Sequence, residues 1–310
     1  MKNHQIQIDE MTCCSPIRQP LTQNYFYDKY YRILAQDHPR GNYLPSREDW
    51  NKIDFQRAIE IYNDRFADPG NFTFVLVGAF SVDTVKLLLE QYLASLPSID
   101  RDESFVDLGI RPPEGKQAHN VYKGNDPKSL AIVYFEEEKE WNEEDAFMLK
   151  VLSDILGFRY IEKLREEMSG VYTSRVNASL HKIPYNYSSL QITIPCSPEN
   201  VDSLVLVAIG ELDSIQQHGV KEKDIIKAKE TRRRTLETNV KTNKYWLSSI
   251  QRAVLNETDL SSVTNEEYID LISSEEVQRV ANEYFSIDEY LQVVLYPEEY
   301  ENIHKEEQSD

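Results

Sequence analysis

The sequence predicts an α+β protein: an antiparallel sheet with helices packed on one face, in which a second domain is complete and a first is truncated. Three observations predict it. Two runs of alternating apolar and polar residues flank a short turn, as in a hairpin with one buried face. Segments of 3.6-residue periodicity lie between the strands. A helix–turn–strand ending occurs twice, and only its second occurrence has a full set of elements ahead of it.

The first elements fall in the front block. Residues 1–22 are polar and aperiodic and are read as an irregular segment, after which an aromatic-rich helix spans Asn24–Ala35. Asp54 can cap a helix bearing Phe55, Ile59, Tyr62 and Phe66, and Asp68-Pro-Gly-Asn71 is a strong turn. The run Phe72-Thr-Phe-Val-Leu-Val-Gly78 predicts a buried strand, and Ser81 starts a helix with Val85, Leu88, Leu89, Tyr92 and Leu96 on one face, closed by Pro97. Residues 23–97 are thus the rear part of one domain. Residues 98–126, rich in charge, Gly and Pro, are read as a linker.

The second block, residues 127–300, opens with a strand at Leu130–Phe135. Asn142 then caps a long helix whose core face is Met148, Val151, Leu152, Ile155 and Leu164. After Gly170 the hairpin follows, with Val176, Ala178 and Leu180 opposite Leu190, Ile192 and Ile194. Pro198–Gln217 is an amphipathic helix stopped by Gly219, and Glu222–Leu255 is a long charged helical stretch. A helix at Glu275–Phe285 precedes a strand at Leu291–Tyr296, and residues 301–310 form an acidic tail. Superimposing Phe66 on Phe285 places Asn63 on Asn282, Phe72 on Leu291, Phe74 on Val293, Val75 on Val294 and Leu76 on Leu295. The front copy therefore lacks most of what precedes its ending.

Composition narrows function by exclusion. The chain of 310 residues has 53 acidic and 34 basic residues, a net charge of −19 that disfavours nucleic acid and anionic membrane as partners. Cys13, Cys14 and Cys196 make neither a disulfide framework nor a cysteine metal site. No stretch is long and apolar enough to span a membrane, and no export signal is evident, so the chain as written reads as cytoplasmic, or periplasmic if a parent protein carries a signal. No P-loop, GxSxG or GxGxxG occurs. His38 and His181 read as structural or solvated, Glu136–Glu140 as a solvated strand end, and Arg232-Arg-Arg234 as a solvated helical face.

One pair stands apart. Arg165 near the end of the long helix and Tyr172 past the Gly170 break are seven residues apart and can face one cleft. A neutral phenol donates a hydrogen bond and a guanidinium is permanently cationic, so together they could hold a peptide carbonyl and an oxyanion. From the residues alone, an ion-paired helix-end Arg beside an ordinary strand Tyr is the stronger reading.

Several segments together resemble the insulinase/pitrilysin group of inverted-motif zinc metallopeptidases. They are Tyr62-Asn-Asp-Arg-Phe-Ala-Asp-Pro69 with Phe72–Gly78 and Tyr92-Leu-Ala-Ser-Leu-Pro97; Arg165-Glu-Glu-Met-Ser-Gly-Val-Tyr172; and Thr242-Asn-Lys-Tyr-Trp-Leu247. The resemblance implies that 23–97 is the end of a third peptidase-like domain and 127–300 a complete fourth, non-zinc one. It further implies that Arg165 binds the substrate backbone and that Tyr172 hydrogen-bonds the scissile carbonyl of an unfolded peptide. Zinc in that family is held by an H-x-x-E-H motif and a downstream Glu in the other half. No H-x-x-E-H occurs here. This chain is therefore expected to hold no zinc or other cofactor and to be inactive alone. Its expected partner is a zinc-bearing half, supplied by another chain or a missing N-terminal region. The alternative expectation is a catalytically silent peptide-binding or scaffold subunit.

Overall fold

A computed structural model describes residues 22–167, 174–260, 264 and 266–307. Its centre is β2 (Ser129–Glu138), where the apolar run predicted a strand. Both edges of β2 are occupied, antiparallel, by β4 (Tyr187–Cys196) and β5 (Leu291–Tyr296). Beyond β4 lies β3 (Arg175–His181), and beyond β5 lies β1 (Gln117–Tyr122), giving the order β1-β5-β2-β4-β3. Only β1 runs parallel to its neighbour, pairing Val121 with Leu295.

The period of two along β2 divides the core. Ala131, Val133 and Phe135 face a layer of helices formed by α5 (Glu143–Glu167), α6 (Val201–His218) and α10 (Ser274–Tyr284). Ile132 and Tyr134, with Val293 and Leu295, face the other way, where α1 (Thr22–Leu34) lays Phe26 and Tyr30 on the sheet. Both are fully buried, and truncating such an aromatic costs about 3–5 kcal/mol. The large helices thus share one face, and α1, which the sequence groups with the front block, covers part of the other.

The helix α5 forms as expected. The Asn142 side chain accepts from the Asp145 amide at 2.8 Å, three acidic residues occupy the first turn, and Met148, Val151, Leu152 and Ile155 are fully buried. The Leu164 side chain lies outside the described residues. The expected single helix over Glu222–Leu255 is instead two, α7 (Glu222–Asn239) and α8 (Asn243–Asn256). Thr242 interrupts it by capping the Tyr245 amide at 3.3 Å, and the Trp246 indole donates to the Val240 carbonyl across the break. Two further helices, α9 (Glu266–Leu271) and α11 (Tyr300–Glu307), complete the rear block, the latter where the sequence suggests a tail.

In the front block α2 (Arg47–Asn51), α3 (Phe55–Arg65) and α4 (Val82–Tyr92) form, the last shorter than its apolar pattern. The expected buried strand at Phe72–Gly78 is a correction. The segment carries no ladder among the described residues, and Phe72, Phe74 and Leu76 are exposed. Strand burial is a property of neighbours, and here none adjoin. The stretch read as linker contains β1, whose pairing partner lies over 160 residues away and gives no local signal.

Candidate functional site

The junction between α5 and β3 is the candidate site. Arg165 lies in the last turn of α5; its side chain, and the whole of Tyr172, lie outside the described residues. What the structure describes is how firmly both flanks are held. Ser153 on α5 donates to the Val176 carbonyl on β3 at 2.8 Å. Nearly two turns further on, the buried Arg159 lies 3.5 Å from both Asp224 and Glu211, and the Tyr160 hydroxyl donates to the Ala208 carbonyl at 2.6 Å. Burial pushes the Tyr160 phenol far above its ordinary range, so it stays neutral and a donor. On the other flank Arg175 pairs with Thr193 at the start of the β3–β4 ladder.

Two ionisable groups in the first half of α5, away from the junction, are perturbed. The ammonium of Lys150 is pushed down to about 8, chiefly by burial and then by the guanidiniums of Arg252 and Arg232. Burial also raises the Asp154 carboxyl, against the opposing pull of Arg232 at 2.7 Å. They lie on the helical side of the sheet.

The sequence did not single out a cluster on the opposite face. The Glu136 carboxylate accepts from the hydroxyls of both Tyr134 and Tyr185, and burial raises it despite these donors. Arg111 lies over the Tyr185 ring, 3.3 Å from its centroid, and pairs with Asp107 and Glu138 at 2.8 Å each. The expected solvated strand end is thus a knot in which both Glu136 oxygens are already used. The only advance signal was that Tyr134 and Glu136 share a strand parity; Tyr185 is 49 residues away. Through the register Glu136–Ser189–Ser179, the knot sits four residues, about 13 Å, along β3 from Arg175.

The remaining sequence candidates have structural partners. His38 accepts from the Arg40 amide, and His181 stacks on Tyr187 with its ring 3.2 Å from the Ser189 hydroxyl. Arg232, Arg233 and Arg234 are paired with Asp154, Asp270 and Glu230. Cys196 is buried, which pushes its thiol up to about 12; Cys13 and Cys14 lie outside the described residues. Among the described residues, no group of three or more His, Cys, Asp or Glu is placed to hold a metal ion, so a zinc ligand set is not found in this part of the chain. No described helix is long and apolar enough to cross a membrane.

The profile of the family described as "Peptidase M16 inactive domain" matches residues 52–232. The probable zinc protease PqqL of Haemophilus influenzae is 28% identical over 171 residues, covering 55% of this chain and 18% of that protein. A zinc protease PQQL-like protein of Arabidopsis thaliana is 26% identical over 216 residues, covering 65% of this chain and 22% of that protein. The chain thus spans about a fifth of the length of these relatives. In fold, it matches the periplasmic protease PqqL of Escherichia coli with a TM-score of 0.73 at 18% identity, over 94% of this chain and 32% of that one.

Proposed function

Since the chain belongs to the peptidase M16 family, whose inactive domain it matches over more than half its length, we propose that it is the substrate-binding, non-zinc portion of a zinc endopeptidase acting on unfolded peptides. The observation that carries this reading is the match of residues 52–232 to the inactive-domain profile, a stretch that includes the Arg165–Tyr172 motif. In the sequence the motif falls between α5 and β3, which are each fixed independently, by Tyr160 and Arg159 on one side and by the β4 ladder on the other. Stabilising a transition state requires donors held in a fixed relation, and anchored elements on both sides of the motif in the sequence support this reading.

In this reading the Tyr172 hydroxyl donates to the scissile carbonyl oxygen as it gains negative charge, and Arg165 holds a backbone carbonyl of the peptide. The given sequence has no H-x-x-E-H motif, so in this reading the zinc ligands and general base come from a zinc-bearing half, supplied by another chain or by a missing N-terminal region. A pure scaffold has no need of an oxyanion donor, and the pair therefore favours the catalytic over the silent reading.

The test is an assembly reconstituted with an H-x-x-E-H-bearing zinc half, supplied as another chain or as the missing N-terminal region. Tyr172→Phe keeps the ring and removes one donor, so kcat falls about 10²-fold with little change in KM. Arg165→Ala also weakens ground-state binding, so KM rises as kcat falls. A Tyr172→Phe enzyme within about twofold of the parent in kcat would return the pair to a structural role and leave the scaffold as the better account.

A further inference from the structure

Charge is spread unevenly over the outer helices. From Thr238 to Asn256 the sequence holds Lys241, Lys244 and Arg252 and no acidic residue, although 53 of the 310 residues are acidic. This stretch is the end of α7, the turn at Thr242 and all of α8. The three cations are exposed, and among the described residues none hydrogen-bonds or ion-pairs through its side chain. Arg232, Arg233 and Arg234 in α7 differ, since each has a carboxylate partner. A protein of net charge −19 has ample carboxylates to neutralise these three cations, and its fold brings none to them.

A fourth unpaired cation lies on the neighbouring helix. Lys150 of α5 is half-buried and has no acceptor for its ammonium, and the guanidiniums that press on it are those of Arg252 on α8 and Arg232 on α7. Arg232 donates to the Lys150 carbonyl and pairs with Asp154, and its buried Nε has no acceptor. Asp154 is thus engaged, and Glu143 is the one carboxylate that acts on Lys150. Three helices bring together more positive charge than they neutralise. An incoming carboxylate replaces mutual repulsion by attraction, and a half-buried ammonium gains more from it than an exposed one.

Spacing selects the ligand. Lys244 and Arg252 are eight residues apart on α8, so they share a stripe and stand about 12 Å apart along it. Residues i and i+4 of an extended peptide lie on one side of it, about 13 Å apart, so two carboxylates at that interval reach both cations. A long polyanion that runs past the patch meets an acidic protein, and no aromatic ring is offered to a base, since Trp246 turns its indole to the Val240 carbonyl. Lys150 and position 165 share a stripe of α5, about 22 Å apart, which an extended peptide covers in about seven residues.

We propose that Lys244 and Arg252, backed by Lys150, form a carboxylate-binding surface that selects unfolded peptides with two acidic residues four apart. This names a substrate class for the reading above; the distance to the cut bond, about seven residues, rests on that reading, and the binding of acidic peptides does not.

The test titrates the full chain with fluorescent unstructured peptides that differ only in carrying Glu-x-x-x-Glu or Gln-x-x-x-Gln. At about 20 mM salt the Glu peptide binds about tenfold more tightly, each exposed pair giving up to about fivefold, and the preference fades by about 500 mM. Lys244→Gln and Arg252→Gln each reduce it about threefold and together abolish it, with unchanged melting because neither side chain has a partner to lose. Lys86→Gln in the front block leaves it intact. Equal binding of the two peptides by the parent chain, a preference that survives in the double variant, or a loss of the same size in Lys86→Gln would each overturn the proposal. So would a DNA duplex or an anionic vesicle that binds as tightly as the Glu peptide and is released by the same double variant. The comparison of peptides uses the parent chain, so it decides even where a variant does not fold. Tyr172→Phe keeps the Glu preference in full. Parental kcat for that variant in the reconstituted enzyme sinks the catalytic role and leaves this surface standing, whereas a kcat defect without any Glu preference in the parent strikes only the present proposal.

Discussion

Lys150 carries the clearest pH signature of any single residue. Its ammonium is held at about 8, below the ordinary lysine value, by burial and by Arg252 and Arg232. Between that value and about 10.4 the unfolded chain binds the proton and the folded chain does not, so stability rises with pH across this window and the penalty is complete below it. Lys150→Met removes the penalty. At pH 7 the variant is more stable by about 1–3 kcal/mol, and the difference closes as pH approaches 10, as urea melts at the two pH values would register. A gain that persisted unchanged at pH 10 would mean that packing, not charge, was responsible. Nothing in the sequence announced this lysine. Periodicity assigned its neighbours Val151 and Leu152 to the core, but the guanidiniums that flank it come from α7 and α8, more than 80 residues on. Arg165 and Tyr172 were singled out by local spacing and a resemblance to a family motif, and their side chains lie outside the described residues.

Among elements, the apolar contact between α5 and α10 is braced by one carboxylate. Asp145 accepts from Arg279, from the Tyr284 hydroxyl at 2.7 Å and from the Asn142 side chain at 2.9 Å. Burial alone would raise it, but these donors outweigh burial and hold it below the usual carboxylate value. Its stabilisation is therefore present above about pH 4, the unfolded value, and is lost as pH falls through the lower folded one. Asp145→Ala should cost about 1–3 kcal/mol at pH 7, moderated because Arg279 is partly exposed, and the deficit should shrink in acid; denaturant titrations at pH 7 and pH 3 test both. Elements whose stability is written locally were readable in advance: α5 with its Asn142 cap, α10 with its apolar face, and the β3–β4 hairpin with its alternation. β1 was not, since Gln117-Ala-His-Asn-Val-Tyr122 is half polar and acquires its meaning only beside β5. Phe72–Gly78 failed in the other direction, because its apolar run reports the neighbours it is suited to and not those it has.

At the scale of the molecule, α1 and β1 both belong to the rear sheet, so residues 37–110 leave and return to one body. The neck is closed by Gln36, whose side chain donates to the Arg111 and Pro112 carbonyls at 3.3 Å each. A unit with joined ends can be removed without unravelling its host. Replacing 37–110 with a short Gly/Ser linker should leave a folded protein melting within a few degrees of the parent by circular dichroism. A fall of more than about 10 °C would show that the front block supports the rear core. The position of β5 between β1 and β2 also sets a timetable. Its residues 291–296 leave the ribosome some 260 residues after α1, roughly 10–50 s later at 5–20 residues per second. Until then β1 has no partner, β2 has one open edge, and Phe26 and Tyr30 have no finished surface to land on. A helix made long before β5 is thus among the last to dock, and during synthesis its aromatic face waits without the core that finally covers it.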